Sequence, residues 1–486
     1  MRPIFLLAGL LLPALLGGLL LVRSPRSERA LRLYAGLGML LCAALGWALL
    51  CCSDGGSLKL LRFSAQLSVA LRLDGTGRFF AGIFSAAFPL ALLYADGFTA
   101  GRQGRGTLFG GLLCAYAAAL GCCMADNLLT LILFGELLSL CAVPLLRYQK
   151  SKPMEKPLRR LLLFSAGGTL LTVTALVFLA LHGAAGSFSE TAGSELPETA
   201  ARVFYALGFL GFGVKTALFP LHLGLVGLSD APAPSAAVLE AVAVTNVGVL
   251  AILRLSFGCF DAGMLTGSWA QTAVCILSLV SILFAATMAV KQRQWKRKLA
   301  YSTAANLSYV LFAVSLLTPE GYAAALLHAA FHCCGKLLAF FCAGSVLQQV
   351  ETTGGPGFDE MGKRMPRTFA AYTLASASLV GVPPLCGFVG KWYILNAAVS
   401  ARTTLAYVGI GVLLFAALLA AVYLFTNVIR AWFPPRIPAH PSPDGVKDST
   451  LRMLLCYVVL GAGLLLCGLF AAPLVRAAQL AAGMGG

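Results

Sequence analysis

Apolar residues run along this chain in blocks of about twenty, the length that crosses a bilayer as a helix, and charge, glycine or proline separates one block from the next. Each run between such breaks predicts one span: 3–22, 31–52, 79–97, 107–125, 127–146, 161–182, 203–224, 236–257, 270–290, 300–317, 319–347, 367–399, 404–432 and 453–475. That reading is an all-α integral membrane protein of about 14 transmembrane helices in one polytopic domain covering 1–486. The first run has an apolar stretch longer than a signal peptide's and no clear small-residue cleavage site after it, so it is expected as a retained span. Between the second and third spans, alternation in Leu67-Ser-Val-Ala-Leu71 predicts a short hairpin outside the membrane.

Composition agrees. Of 486 residues, 59% are hydrophobic and 11% charged, where soluble domains carry about 25% charge, so a water-soluble globular protein is excluded. The net charge of +17 would suggest nucleic acid in a soluble chain. Here the basic residues sit in short loops, where they set topology instead. Lys and Arg gather in alternate loops, at Arg23–Arg32, Arg102–Arg105, Arg147–Arg160, Lys291–Lys298, Lys363–Arg367 and Arg430–Arg452. The loops between hold few: 183–202 carries Glu190, Glu195 and Glu198 against one Arg, and the connection around Asp261 has no Lys or Arg. The basic loops are therefore expected to face the cytoplasm of a cell membrane and both termini the outer side. The 53–78 loop, with Lys59, Arg62, Arg72 and Arg78, departs from that pattern. The fifteen cysteines lie mostly in apolar segments and never as C-x-x-C, which favours packing over a metal or iron–sulfur site.

A charge at bilayer depth costs at least a few kcal/mol, so each one is a functional candidate. The candidates are Glu136, Lys215, Glu240, Lys336 and Lys391, with His222, His328 and His332. Lys215 lies in Gly211-Phe-Gly-Val-Lys-Thr-Ala-Leu-Phe-Pro220, ahead of a proline that breaks the helix, and Lys391 follows Gly381-Val-Pro-Pro384. Two broken spans, each with a lysine, point to an internal duplication of about five spans, with an ion path where freed backbone groups meet water. The alternative is a proline kink in a packed helix with a snorkelling lysine. His328, His332 and Lys336 recur every four residues, on one helical face. That row suits proton relay better than zinc, which needs a third ligand, and polar packing is the other reading. His222, just past Pro220, reads equally as an interfacial cap or a relay member. Glu136 is expected to hold its charge beside an ammonium, and Lys215 is the partner expected for it.

At these residues the chain resembles the antiporter-like membrane subunits shared by respiratory complex I, energy-converting membrane hydrogenases and Mrp-type cation/proton antiporters. The resemblance covers about 107–400 and rests on Asp126-Asn-Leu-Leu-Thr130 with Glu136, Lys215 with Pro220-Leu-His222, Ala231-Pro-Ala-Pro-Ser235, Lys296-Arg-Lys-Leu-Ala-Tyr-Ser-Thr303, His328/His332/Lys336 and Gly381-Val-Pro-Pro-Leu-Cys-Gly-Phe-Val-Gly-Lys391. It implies two inverted five-helix repeats with broken helices 7 and 12. The first three helices would occupy 1–106, the repeats 107–257 and 270–432, and a last helix 453–475. It also implies a midplane proton path, with Glu136 and Lys215 as the first-half pair, Lys336 with His328 and His332 as the central and second-half relay, and Lys391 at its end.

The family's bridging lysine of the eighth span falls on Asn246, or on Thr245, and neither carries an ammonium. Glu240 is the other candidate at that bridge, but six residues at 3.6 per turn put it on a different face. The family's tryptophan and proline after His222 are replaced by Leu223-Gly-Leu-Val226.

These features lead to a proton-translocating, or cation/proton-exchanging, subunit of a complex I-like or hydrogenase-type oxidoreductase. Its expected partners are other membrane subunits, the lipid bilayer and H+ (or Na+), with no nucleic acid. No redox site, cofactor or metal is expected on this chain: no nucleotide-binding glycine motif follows a strand, and no Ser or Thr follows Lys391 as a P-loop requires. Alternatives are an Mrp-type Na+/H+ antiporter subunit, a self-contained secondary transporter, and a structural subunit with impaired conduction.

Overall fold

The computed structural model describes residues 2–51, 56–64, 66–149, 154–189, 196–353, 359–434 and 445–484. Lys150, Lys152, Glu190, Glu195 and Arg436 of the topology argument, and Cys52, lie outside them. The chain is an all-α membrane protein. Among the described residues eleven helices are long and apolar enough to cross a bilayer, from Ile4–Val22 to Leu451–Leu469. The other three expected spans are helical but shorter or more polar. Glu198–Gly213 ends in a tight turn at Val214–Thr216, and Trp295–Ser315 opens on the basic Lys296-Arg-Lys298. The expected 367–399 span is two helices, Pro366–Val380 and Cys386–Ala401, separated at Gly381 (φ +99°) and the two prolines after it.

Burial sorts the helices into an exposed rim and an enclosed core. Only 22% of the Ile4–Val22 span and a third of the Thr404–Trp432 and Leu451–Leu469 spans are buried, against all of Ala233–Cys259 and 83% of Pro319–Val350. A helix enclosed on every side is the one that can carry an ionisable group without meeting lipid. Two pairs of glycines let helices touch. A methyl group on Gly17 would come within 2.8 Å of the Gly110 carbonyl, and one on Gly168 within 2.5 Å of the Gly211 carbonyl. Small residues at such crossings allow the close backbone packing that substitutes for a hydrophobic driving force in lipid.

Side chains set the helix ends. Asp74 caps Gly75–Phe98 by accepting from the Gly77 amide at 2.9 Å, and Asn127 caps Leu128–Leu140 by accepting from Thr130 at 2.9 Å. The expected hairpin is present as an antiparallel pair, β1 (Leu58–Arg62) with β2 (Ser68–Leu71), bulged between Lys59 and Leu61. It is tied to the second of these caps, since Ala70 donates to Thr130 Oγ1 and Asn127 donates to the Ser68 carbonyl.

Candidate functional site

Glu136 and Lys215 meet between three helices. Lys215 is held in the tight Val214–Thr216 turn, where Ala217 adopts φ +56° and the Leu218 amide reaches back to the Gly213 carbonyl at 2.9 Å. That break ends the helix at the lysine and aims its ammonium sideways. Lys215 Nζ lies 2.8 Å from Glu136 Oε1 and donates also to Ser139 Oγ (2.8 Å), Ser165 Oγ (2.9 Å) and the Gly135 carbonyl (3.2 Å). Glu136 accepts in turn from Thr169 Oγ1 (2.6 Å) and Ser165 Oγ (3.1 Å). The lysine side chain is 7% exposed and the glutamate 31%.

A cavity of about 10 Å³ touches Gly135, Glu136, Thr169 and Lys215, close to the space one water needs. The Ala233–Cys259 helix presses on the pair from the other side. A methyl on Gly248 would stand 2.8 Å from Thr216 Cγ2 and 3.0 Å from Lys215 Cβ, so only glycine fits there.

The second group follows the Pro319–Thr353 helix. His328 and His332 are buried, their ring centroids 6.3 Å apart, and their ring nitrogens have no protein hydrogen-bond partner among the described residues. Buried polar groups left without a protein partner are uncommon in folded proteins. Lys336, one turn on and wholly buried, donates to the Leu299 carbonyl at 2.9 Å. Lys391 joins the row from the broken span. Its ammonium donates to the Leu379 and Val380 carbonyls at 2.8 and 2.7 Å and sits 5.4 Å from the Tyr309 ring, which in turn lies 5.8 Å from His328. It thus caps the negative end of Pro366–Val380, where helix carbonyls are left without intrahelical partners. A methyl on Gly390 would meet His328 Nδ1 at 2.8 Å, which fixes how closely the two helices approach.

The structure distributes the remaining expected residues differently. His222 is buried among Phe219, Phe284 and Tyr301, its ring centroid 4.9 to 5.9 Å from theirs. Asn246 bonds its own helix, donating to the Val242 carbonyl at 2.7 Å, and Cys333 lies beside it. Glu240 is fully buried, and neither carboxylate oxygen has a hydrogen-bond partner among the described residues. Counting 3.6 residues per turn from Glu240 to Asn246 fails here, because Val238–Ala243 is a π-helical turn. Wider i→i+5 turns rotate later residues out of the α-helical register, and they occur often at functional sites.

Sequence reasoning missed two further ion-pair sites, at Asp74 and at Asp96. Arg254 grips Asp74 with both terminal nitrogens, at 2.5 and 2.6 Å, beside a cavity of about 370 Å³ lined also by Arg72, Asp126, Ser189 and Tyr322. Burial alone raises the Asp74 carboxyl, but the Arg254 guanidinium, the Gly77 amide and Arg72 together hold it below the usual carboxylate range. An arginine inside a long, mostly apolar run was the available signal. Asp96, buried, likewise binds Arg32, Arg105 and Arg452 and ties early helices to a late one. Among the described residues no group of three or more His, Cys, Asp or Glu gathers as a metal site would.

Comparison with known proteins gives a consistent picture. The transmembrane family described as NADH:quinone oxidoreductase/Mrp antiporter matches residues 125–420. NADH-quinone oxidoreductase subunit N of Desulforudis audaxviator is 31% identical over 80% of this chain and 79% of its own length. The chloroplastic NAD(P)H-quinone oxidoreductase subunit 5 of Ranunculus macranthus is 28% identical over 63% of this chain, which spans 43% of that protein. Solved structures share the fold, two of them as follows. One is a chain of the Mrp complex from Dietzia sp. DQ12-45-1b, with TM-score 0.83 and 23% identity, covering 98% of this chain and 52% of that one. The other is a chain of respiratory complex I from Thermus thermophilus, with TM-score 0.81 and 24% identity, covering 99% and 100%.

Proposed function

The chain belongs to the NADH:quinone oxidoreductase/Mrp antiporter family of membrane subunits, and from that premise we propose that its buried lysines, carboxylates and histidines conduct protons through the core. It is a multi-pass, antiporter-like subunit, and its relatives are subunits of multi-subunit membrane complexes. The proposed path runs from Glu136 and Lys215 to Lys336, His332, His328 and Lys391, with His222 as a side branch at the break after Pro220. Electron transfer falls to partner subunits of a complex I-like or hydrogenase-type assembly.

The observation that carries this reading is the Glu136–Lys215 pair at 2.8 Å, set among Ser139, Ser165 and Thr169 with space for a water. An ammonium beside a carboxylate stabilises the ionised form of both. Drawing the lysine back by a rearrangement of the broken helix raises the carboxylate's proton affinity and weakens the hold on the lysine's proton. Approach and separation therefore load and unload protons without redox chemistry on this chain.

The same proposal carries a topology: fourteen spans, inverted repeats at 107–257 and 270–432, basic loops in the cytoplasm, and both termini outside the plasma membrane. The experiment is Lys215→Ala and Glu136→Ala in the chain's own complex, in sealed membrane vesicles. Loss of coupled ion movement with assembly intact supports the proposal, and normal pumping in either variant would falsify it. Transport of Na+ against H+ is the second reading, favoured by the likeness to a chain of an Mrp complex over 98% of this one. Sodium-dependent collapse of an imposed pH gradient distinguishes the two.

A further inference from the structure

Two contacts fix how Ala233–Cys259 lies along Pro319–Thr353. A methyl on Gly344 would fall on Ala233 Cβ, and Cys333 lies beside Asn246, so the helices run antiparallel. Glu240 is seven residues past Ala233 and Lys336 eight before Gly344. At about 1.5 Å per residue they stand about 10 and 12 Å from the common contact, hence at one level. Seven residues are nearly two α-helical turns. Only the last of these steps enter the π-helical turn, which reduces the rotation by a fraction of a turn, so Glu240 still leaves its helix toward the side that Ala233 presents to Gly344. Both groups are wholly buried. Lys336 spends one donor on the Leu299 carbonyl, which leaves two of its three ammonium protons, while both Glu240 oxygens have no hydrogen-bond partner among the described residues.

The charged groups that act on Glu240 across the packing are Lys336, Lys296 and Asp230, and those that act on Lys336 are Glu240 and Lys391. Lys296 donates at 2.8 Å to the Ala231 carbonyl, and Arg297 engages Asp230 at 3.2 Å. An unpaired carboxylate with no polar contact at this depth is untenable, and the ammonium at its own level is the natural counter-charge.

We propose that Glu240 and Lys336 form a second exchangeable carboxylate–ammonium pair, at the junction of the two halves where the family's bridging lysine is replaced by Asn246. It rests on the proton-conduction reading above and gives the junction a negative proton carrier in place of a positive one. In the exchange the Lys336 ammonium gives one proton to the Glu240 carboxylate, leaving a neutral amine and a neutral carboxylic acid, so charge balances. Glu136–Lys215 within the first half and Glu240–Lys336 at the junction then do the same chemistry. The π-helical turn at Val238–Ala243 has a role in this: it lets the Ala233 side and Asn246 both face Pro319–Thr353, although they are thirteen residues apart.

Infrared difference spectra of the full-length chain in lipid vesicles, taken over a pH titration in H2O and D2O, read buried carboxylic acids directly. A protonated-carboxyl band that is lost in Glu240→Gln, kept in Glu136→Gln and moved in midpoint pH by Lys336→Met is the expected result. A band indifferent to Lys336→Met overturns the pair. Thermal unfolding supplies a check that survives poor folding of single variants, because Glu240→Gln/Lys336→Met together should melt above either alone, and additive losses overturn the pair. In vesicles of the intact complex, Glu240→Gln should slow coupled proton movement at least tenfold, with partial recovery in Glu240→Asp. Wild-type rates in Glu240→Gln alongside a dead Glu136→Gln sink this inference and leave the conduction reading standing. Normal rates in Glu136→Gln and Lys215→Ala sink the conduction reading, and the spectra still decide whether Glu240 and Lys336 are paired.

Discussion

Removing either member of the Glu136–Lys215 pair should cost different amounts, and the structure gives the order. At 2.8 Å the attraction between unit charges is about 6 kcal/mol at an effective dielectric of 20, before the larger part is offset by desolvation. In Lys215→Met the carboxylate keeps Thr169 at 2.6 Å and Ser165 at 3.1 Å, and it is 31% exposed. Its loss is that of a hydrogen bond to a charged group, about 1.5–3 kcal/mol. In Glu136→Gln the ammonium remains, 7% exposed, among two hydroxyls, a carbonyl and an amide oxygen. A buried cation without its counter-charge costs about 3–5 kcal/mol.

Glu136→Gln should therefore be the more destabilising change. The double variant, with no charge to desolvate, should be more stable than the sum of the singles by about 1.5 kcal/mol or more, within the range of coupled neighbours. The assay is denaturant or thermal unfolding of the four proteins in one detergent, followed by helical signal, alongside ion movement in vesicles. Strictly additive losses in the double variant, or a Lys215→Met loss above that of Glu136→Gln, would refute the reasoning, because the pair would then not be a desolvated, mutually dependent unit.

Gly248→Ala should slow proton movement severalfold while the chain still folds: the new methyl meets Thr216 and Lys215 at 2.8–3.1 Å, a clash worth about 1–3 kcal/mol that displaces the lysine, and an unchanged rate in vesicles would contradict it. Asn246→Lys should lower that rate, since it sets a second ammonium near the Glu240–Lys336 level; a gain of flux would mean a decayed lysine bridge instead. Acid stability should depend on Asp74. Its folded proton affinity is lowered, so its contribution is fully present above the unfolded carboxyl value of about 3.9 and is lost as pH falls through the lower folded value. Melting temperature should thus hold from neutral pH to about pH 5 and fall below about pH 4. Asp74→Asn should flatten that acid limb and lower stability at neutral pH by stranding Arg254, and an acid limb identical to wild type would remove Asp74 from the account.

What the sequence disclosed and what it withheld follow from cost. Lys215, Lys336, Lys391 and Glu136 stand out in an apolar chain because each is expensive at depth, and the four-residue spacing of the histidines with Lys336 needs only a helix to become a face. The spans and the hairpin are legible for the same reason, as patterns of burial along a single segment. Ser139, Ser165 and Thr169, which complete the Lys215 site, carry no such signal. A hydroxyl in a membrane helix is satisfied by its own backbone, and Ser139 does also bond the Gly135 carbonyl at 3.0 Å. The Asp74–Arg254 pair joins positions 180 residues apart, and nothing local in either segment announces the other. The π-helical turn around Glu240 was hidden too, because regular periodicity assumes away the extra residue that such a turn accommodates.

Two of the buried lysines, Lys215 and Lys391, are neutralised in different ways, and that difference orders their tasks. Lys215 faces a full carboxylate and two hydroxyls, so its charge is matched side chain to side chain. Lys391 faces two carbonyls at the end of Pro366–Val380, so its counter-charge is the partial negative charge of a helix terminus. That charge cannot take up a proton. An ammonium held only by carbonyls must hand its proton to another titratable side chain or to water, and the ring nearest its end of the row is His328, reached past Tyr309. Lys215, by contrast, has an acceptor for its proton in direct contact. On the proposed path the Glu136–Lys215 pair can therefore exchange a proton within itself, whereas exchange at Lys391 runs along His328 and His332 or through water. The broken span that carries Lys391 also supplies the carbonyls that hold it, so any shift of that interrupted helix end alters the retention of the charge directly.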